Sequence, residues 1–169
     1  MTDAESVTAV RWRWLALSAL VVAADQLSKA CVQAALAPAA RVDVTPFFSW
    51  VHVHNTGAAF SLLADAGGWQ LGFFVVVTLV VSVGLVIWLW RLPAGHWWTA
   101  SALALILGGA WGNLWDRVAL GHVVDFLLFH WRGAAFPAFN LADTAITIGA
   151  AMLIFEPMVR RGSGAQADV

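Results

Sequence analysis

The chain is organised around residues 112–143, which read GNLWDR at 112–117, GHVVDF at 121–126 and FNLAD at 139–143. These segments place polar side chains at the ends of apolar runs, among them Asp125 and Asp143. In a membrane protein such groups are costly and usually functional. We therefore interpret Asp125 and Asp143 as a two-carboxylate active site. The alternative is that both are solvated residues of loops or helix ends.

The amino-acid composition places the chain among membrane proteins. Of its 169 residues, 61% are hydrophobic and only 11% are charged, which is less than half the charged share of a soluble domain. The formal net charge of −1 gives no basis for a nucleic-acid partner. The single cysteine, Cys31, can form neither an internal disulfide nor a metal or redox motif, so we expect it to pack at a helix end.

Four apolar runs predict four transmembrane helices, at about residues 12–34, 69–90, 97–116 and 138–158. A helix needs ~20 apolar residues to cross the bilayer, and each run approaches that length. The first run also has the basic start and short apolar core of a cleaved signal peptide. Its apolar character resumes after Asp25, however, which favours a retained helix. Pro157 is expected to end the fourth helix.

The two long connections, 37–68 and 117–137, contain the glycines and prolines that interrupt the apolar runs. Within the first, polar and apolar residues alternate at 41–44 and 50–54, which predicts a small sheet on the membrane surface. Residues 58–63 predict a short surface helix beside it. The predicted fold is an all-α membrane protein: four transmembrane helices with a small extracytoplasmic β-sheet and a short surface helix. It forms a single domain over the whole chain.

Two spacings predict specific contacts, one within a helix and one between helices. Asp25 and Lys29 are four residues apart on one helix, so they share a face and can form an ion pair. Gly108 and Gly112 form a Gly-x-x-x-Gly pattern, which allows another helix to approach closely.

Basic residues near the helix ends predict the orientation, because cytoplasmic loops carry the excess of lysine and arginine. With four spans, both termini lie on one side, which holds Arg11, Arg13, Arg91, Arg160 and Arg161. The opposite side holds Lys29, Arg41, Arg117 and Arg132. The excess of basic residues on the side of the termini increases if Lys29 and Arg117 belong to a buried site, because they then no longer count as loop charges. We therefore expect both termini in the cytoplasm and the two long connections outside.

This topology gathers the costly polar groups at the outer membrane surface. They end the first and third helices, begin the fourth, or lie between the last two: Asp25, Lys29, Asn113, Asp116, Arg117, Asp125, Asn140 and Asp143. Two close carboxylates cannot both ionise easily, so they share a proton. The ionised carboxylate can then accept a proton from water while its partner protonates a scissile carbonyl. The pattern therefore favours aspartic-protease chemistry.

Two other kinds of site are consistent with some of these residues. His52 and His54 lie on one face of a predicted strand, and His122 with Asp125 could complete a metal site. This signal is weak, and we expect no metal and no cofactor. A proton-coupled membrane carrier would also use intramembrane carboxylates, although such proteins usually place them near the bilayer midplane.

At five places the sequence resembles lipoprotein signal peptidases, also called signal peptidase II. The matching segments are DQ-x-x-K at 25–29, NTGAAF at 55–60, GN-x-x-DR at 112–117, VVDF at 123–126 and FN-x-AD at 139–143. The resemblance extends over nearly the whole chain and includes the order of the spans. Residues 126–136 and both tails vary most.

The resemblance implies an aspartic endopeptidase of the bacterial inner membrane. Its substrate would be a prolipoprotein whose cysteine already carries a diacylglyceryl group, cut on the N-terminal side of that cysteine. Asp125 and Asp143 would be the catalytic pair. Asn55, Asn113, Arg117 and Asn140 would line the site, whereas Asp25, Lys29 and Asp116 would brace helix ends. The family uses no metal.

The remaining expectations concern partners and the surface segment. A signal peptide is an apolar helix, so a site at the membrane surface meets its cleavage point without moving it into water. Membrane lipids are the other expected partners, and we expect a monomer with its active site on the periplasmic face. Residues 41–66 could cover the bound peptide, with Gly57 allowing close approach of its backbone.

Overall fold

The computed structural model describes residues 3–57 and 68–164, with side chains described from Arg11 to Met158 within those ranges. Its elements are α1 (Asp3–Ala35), β1 (Arg41–Thr45), β2 (Phe48–Asn55), α2 (Trp69–Arg91), α3 (Trp97–Leu120), β3 (Val123–Trp131), β4 (Ala134–Ala135) and α4 (Leu141–Gly164). Helix α3 packs against each of the other three helices. The surface helix expected at 58–63 lies outside the described residues.

Three helical segments in the described part of the chain are long and apolar enough to cross a membrane. They are Arg11–Ala35 within α1, Trp69–Arg91, and Leu141–Met158 within α4. The expected third span corresponds to α3, which is not among them. Glycines, tryptophans and polar residues lower the hydropathy of α3, and half of its 24 residues are buried. The protein is therefore mostly helical, with three candidate membrane helices rather than the four expected.

Three helix ends differ from those expected. Helix α1 begins at Asp3, nine residues before the predicted start of the first span. Helix α3 continues to Leu120, four residues beyond the predicted end, and stops where Gly121 adopts a φ of 78°. Glycine adopts this left-handed conformation without the steric cost of a Cβ atom. Helix α4 runs through Pro157 to Gly164, so the expectation that this proline ends the helix is wrong. A proline removes one backbone hydrogen bond, and the helix tolerates that loss here.

The close approach predicted at Gly108 and Gly112 is confirmed. A Cβ atom at Gly108 would lie 2.7 Å from the carbonyl oxygen of Ser18, and one at Gly112 would lie 2.7 Å from Oδ2 of Asp25. Both neighbours belong to α1. The hydroxyl of Ser18 also donates to the carbonyl oxygen of Ala104 at 2.9 Å. These contacts hold α1 against α3 and place Asp25 beside the C-terminal half of α3.

The sheet has four antiparallel strands in the order β1-β2-β3-β4. The expected strands at 41–44 and 50–54 are confirmed as β1 and β2. Strands β3 and β4 lie within the connection 117–137, where the sequence predicted no strand. The sheet is therefore larger than the sequence predicted. In the register of β2 and β3, Val53 lies opposite Asp125 and Asn55 opposite Val123, which brings Asn55 next to the candidate carboxylate.

Candidate active site

Asn140 is fully buried and connects the two candidate carboxylates. Its Nδ2 donates to Oδ1 of Asp125 at 2.7 Å, and its backbone N–H donates to Oδ2 of Asp143 at 3.2 Å. In return, Oδ1 of Asn140 accepts the backbone N–H of Asp143 at 2.9 Å. Asn140 thus caps the start of α4, with Asp143 as the reciprocal partner three residues later. The same turn that begins the helix therefore fixes Asp143 beside Asp125.

Asp125 lies on β3 with only 2% of its surface exposed. Its second oxygen, Oδ2, accepts a hydrogen bond of 2.9 Å from Nδ2 of Asn55. Burial, together with the neighbouring charge of Asp143, raises the pKa of Asp125 to about 7. The hydrogen bonds from Asn55 and Asn140, and the charge of Lys29, oppose this rise. Asp125 therefore exchanges a proton near neutral pH, as an acid–base group requires.

Asn113 of α3 connects Asp143 to the interior of the bundle. Its Nδ2 donates to Oδ1 of Asp143 at 2.7 Å. Its Oδ1 accepts from Nδ2 of Asn140 and from Nζ of Lys29, both at 3.1 Å. Two asparagines thus supply donors to both carboxylates while their own oxygens are satisfied. Since an amide has fixed donor and acceptor ends, this arrangement sets the direction of each hydrogen bond.

A buried ion cluster lies beneath the two carboxylates. Lys29 is 2% exposed, and its Nζ contacts Oδ2 of Asp25 at 2.7 Å and Oδ2 of Asp116 at 2.8 Å. The ion pair predicted between Asp25 and Lys29 is confirmed. Asp25 also accepts the backbone N–H of Ala142 at 2.9 Å, and Asp116 accepts that of Val124 at 3.0 Å. The cluster therefore joins α1 and α3 to the residues preceding both Asp143 and Asp125.

Gln26 also belongs to this cluster, although the sequence analysis did not place it among the site residues. Its Nε2 donates to Oδ1 of Asp116 at 2.7 Å and to the carbonyl oxygen of Gly112 at 3.2 Å. Because these partners lie about 90 residues away in the chain, no local pattern predicts them. The available signal was its position beside Asp25 in the DQ-x-x-K segment that resembles the family.

Arg117 lies at the edge of this network, close to the residues of the first connection. It does not bind its neighbour Asp116, whose carboxylate contacts Lys29 and Gln26. One guanidinium nitrogen donates to the carbonyl oxygen of Gly57 at 2.8 Å. The guanidinium carbon lies 4.5 Å from the ring centre of Phe74, within cation–π range. Phe74 lies on α2 and was not among the site residues proposed from the sequence.

A cavity of about 500 Å³ opens against this network. Its polar lining includes Asn55, Asn113, Arg117 and Asp143, together with two threonines of α4. Its apolar lining includes Val123, Phe136, Phe139, Ile146 and Ile148. Asp125 contacts the lining through its hydrogen bond with Asn55. A mostly apolar cavity with a few convergent polar groups is the usual form of a binding site.

The structure thus joins all ten residues proposed from the sequence into one hydrogen-bonded network. Gly57 completes it, since its N–H donates to Oδ1 of Asn55 at 3.0 Å and its carbonyl accepts from Arg117. The network draws on α1, α3, α4 and the sheet: Asp25, Lys29, Asn55, Gly57, Asn113, Asp116, Arg117, Asp125, Asn140 and Asp143.

The three histidines considered for a metal site lie together but outside this network. Nδ1 of His52 lies 2.8 Å from the carbonyl oxygen of Leu36, and its Nε2 lies 3.2 Å from Nε2 of His54. The rings of His54 and His122 are stacked with their centres 3.9 Å apart. Burial and the adjacent imidazoles lower the pKa of His54. Within the described residues, no group of three or more His, Cys, Asp or Glu side chains could hold a metal ion.

The architecture is similar to that of solved bacterial membrane enzymes. One such structure has a TM-score of 0.77 at 29% sequence identity and covers 90% of both chains. A second has a TM-score of 0.74 at 30% identity and covers 85% of this chain and 91% of the other. The fold and the buried carboxylate network therefore define a membrane enzyme.

Sequence comparisons give the family. Residues 17–159 match the family described as signal peptidase (SPase) II. A lipoprotein signal peptidase of Pseudomonas aeruginosa is 51% identical over 169 residues, with 99% of each chain covered. One from Pseudomonas fluorescens is 53% identical over 156 residues, covering 91% of this chain and 92% of the relative. The chain belongs to the signal peptidase II family. It is a peptidase that removes signal peptides from prolipoproteins, and nothing in these comparisons supports the carrier interpretation.

Proposed function

We propose that Asp125 and Asp143 are the catalytic pair of an aspartic endopeptidase that cuts diacylglyceryl-modified prolipoproteins before the lipidated cysteine. The main observation in support of this proposal is that Asn140 binds both carboxylates, at 2.7 Å and 3.2 Å, beside a cavity of about 500 Å³. With the pKa of Asp125 raised to about 7, the pair retains one proton near neutral pH. The proton belongs to the pair rather than to one fixed residue.

The reaction uses this shared proton twice. The ionised carboxylate removes a proton from water as the water oxygen forms a bond to the scissile carbonyl carbon, and the protonated carboxylate gives its proton to the carbonyl oxygen. The tetrahedral intermediate then collapses. Its C–N bond breaks, a carboxyl proton passes to the leaving amine, and a hydroxyl proton returns to the pair. The products are a signal peptide with a free carboxyl end and a lipoprotein with a free amine.

Arg117 supports the substrate in this proposal. Its Nε is buried and has no hydrogen-bond partner among the described residues, although its other nitrogens bind the carbonyl oxygens of Gly57 and Asn113. A bound peptide carbonyl would satisfy that donor. The guanidinium also lies within electrostatic range of Asp143 and Asp125, so it favours negative charge on the pair.

The lipid on the substrate cysteine provides most of the positioning. Each buried methylene contributes about 0.8 kcal/mol, so two acyl chains anchor the cysteine strongly while they remain in the bilayer. The apolar lining formed by Phe136, Phe139, Ile146 and Ile148 then receives the adjacent apolar residues of the signal peptide. The site therefore lies at the membrane surface, where the signal peptide helix ends.

We propose that α3 is a fourth span and that both termini are cytoplasmic. At 24 residues and about 1.5 Å per residue, α3 extends about 36 Å, longer than the ~30 Å hydrocarbon core. It packs against α1, α2 and α4, so half of its residues are buried against protein and need not be apolar enough for lipid. The whole chain then forms one integral-membrane domain, and a monomer contains the complete site, which faces the periplasm of the inner membrane.

The test is cleavage of a purified prolipoprotein, with and without its diacylglyceryl group, followed by mass spectrometry. We expect loss of the signal peptide from the lipidated form only, and no cleavage by Asp125→Asn or Asp143→Asn although both variants remain folded. Chelators should leave the rate unchanged. Near-normal turnover by either variant would exclude that residue from catalysis. Loss of activity in chelator that zinc restores would instead support a metallopeptidase.

A further inference from the structure

A second cavity lies at the opposite end of the helix bundle from the carboxylates. It has a volume of about 270 Å³ and is bounded by the start of α1, the end of α2 and the start of α3. From Trp97, in its lining, to Asn113 of the active site is sixteen residues of α3, or about 24 Å at 1.5 Å per residue. The cavity is therefore in the other leaflet and takes no part in the cleavage site.

The polar lining of this cavity consists of nitrogen donors. Arg11 and Arg13 line it from α1, and His96 lines it just before α3. Within the described side chains, the ion pairs involve Lys29, Arg41 and His130, so neither Arg11 nor Arg13 is neutralised by a described carboxylate. The cavity thus has two cationic groups and no described acid opposite them.

His96 provides an independent indication of a missing hydrogen-bond partner. Its Nδ1 is buried and has no hydrogen-bond partner in the described part of the chain. The side chain also makes no capping hydrogen bond to α3, and the first turn of α3 contains no acidic residue. The nearby carboxylate of Glu156 accepts from the hydroxyl of Thr99 and does not line the cavity. Buried polar atoms normally have partners, so an unpaired nitrogen here is consistent with a ligand oxygen.

The rest of the lining is apolar and contains two aromatic residues typical of membrane interfaces. It comprises Trp14, Leu89, Leu92, Pro93, Trp97 and Ala100, with small contributions from the connection. Trp97 is 61% exposed, as tryptophan is where headgroups meet hydrocarbon. The volume equals about nine water molecules at ~30 Å³ each. It accommodates a phosphate and part of a glycerol, but not acyl chains.

We propose that this cavity binds the phosphate headgroup of an anionic membrane lipid in the leaflet opposite the cleavage site. Arg11 and Arg13 pair with the phosphate, and His96 donates to one of its oxygens. The acyl chains remain outside, along the apolar surfaces of α1 and α2. A soluble phosphate would satisfy the same donors, but the tryptophans and leucines around them favour a ligand that is partly apolar. The bound lipid joins the start of α1 to the connection between α2 and α3.

The experiment is native mass spectrometry of the full chain, released from detergent after incubation with equal amounts of phosphatidylglycerol and phosphatidylcholine. We expect one retained phosphatidylglycerol. Replacing both arginines in Arg11→Gln/Arg13→Gln should weaken its retention roughly thirtyfold, because each basic residue near a membrane surface contributes about 1 kcal/mol and every 1.4 kcal/mol is a factor of ten. Arg91→Gln is the matched control, because Arg91 is an exposed cation at the end of α2 that does not line the cavity. It should retain the lipid as the unsubstituted protein does.

Ala94→Phe provides a test that preserves every charge. Ala94 is exposed and lines the cavity, so the larger side chain should block the lipid without disturbing the core. Prolipoprotein cleavage by each variant confirms that it is folded. Equal retention of the two lipids, unchanged retention in Ala94→Phe, or an equal loss in Arg91→Gln would overturn the proposal. Displacement of the lipid by inorganic phosphate at millimolar concentration would show that the site takes a soluble anion instead.

Discussion

Replacing Asp125 with asparagine should change how the stability of the protein depends on pH. The pKa of Asp125 is raised from 3.8 to about 7, so the folded protein binds a proton that the unfolded chain releases near pH 4. Stability is therefore highest at low pH and falls as the pH rises from the unfolded pKa towards the folded one. Above the folded pKa, no further loss arises from this group.

The size of the effect follows from the interval between the two pKa values. From pH 5 to pH 7, two units at about 1.36 kcal/mol each amount to about 3 kcal/mol. Asp125→Asn has no such proton to lose. The asparagine places an amide NH₂ against the donors of Asn55 or Asn140, which costs roughly 1–3 kcal/mol but does so at every pH. The pH-dependent part therefore remains separable from the lost hydrogen bond.

The assay is thermal unfolding in detergent at pH 5 and pH 8. Relative to the unsubstituted protein, Asp125→Asn should gain about 3 kcal/mol between these pH values, or roughly 6–12 °C in Tm for a chain of this size. In Asp143→Asn, the pH-dependent loss of stability should occur at lower pH than in the unsubstituted protein. The reason is that the charge of Asp143 is the second cause of the raised pKa of Asp125.

The control is Asp43→Asn on the exposed edge of the sheet. Hydrogen bonds from Ser49 and Arg41 lower the pKa of Asp43, so this carboxyl is ionised in both folded and unfolded chains at pH 5 and above. Its replacement should shift Tm equally at the two pH values. If Asp125→Asn behaves in the same way as this control, Asp125 is ionised throughout and the proposed shared proton is wrong.

Three further substitutions test other parts of the network. Lys29→Met should destabilise the protein by about 3–5 kcal/mol, measured by chemical or thermal unfolding, because it leaves the buried carboxylates of Asp25 and Asp116 without their cation; an unchanged Tm would contradict the buried ion cluster. Arg117→Lys should lower turnover about tenfold or more, equivalent to ~1.4 kcal/mol in the barrier, with little change in Tm, because lysine lacks the planar guanidinium. Full turnover would mean that the residue only needs a charge. Gly112→Ala should reduce both stability and turnover, since its Cβ would lie 2.7 Å from Oδ2 of Asp25; the open position Gly84 provides the control, and equal effects at both would refute the role of close packing.

The sequence by itself determined the helices, the first two strands and the composition of the site. Apolar runs and alternation are local patterns, and they located α2, β1, β2 and the end of α1 to within a few residues. The spacing of Asp25 and Lys29 specified their ion pair for the same reason, since both lie on one helix. Five short motifs, by resemblance, identified the ten residues that the structure connects.

The tertiary structure alone decided how these pieces meet. Strand β3 was not predicted because its apolar run at 126–129 does not alternate. Its identity depends on pairing with β2, about 70 to 80 residues earlier in the chain. Gln26 and Phe74 joined the network through partners 90 and 43 residues away, which no local pattern encodes. Helix packing at Gly108 and Gly112 sets those distances. Only folding brings the carboxylates together, and their proximity and burial produce the raised pKa on which the proposed chemistry depends.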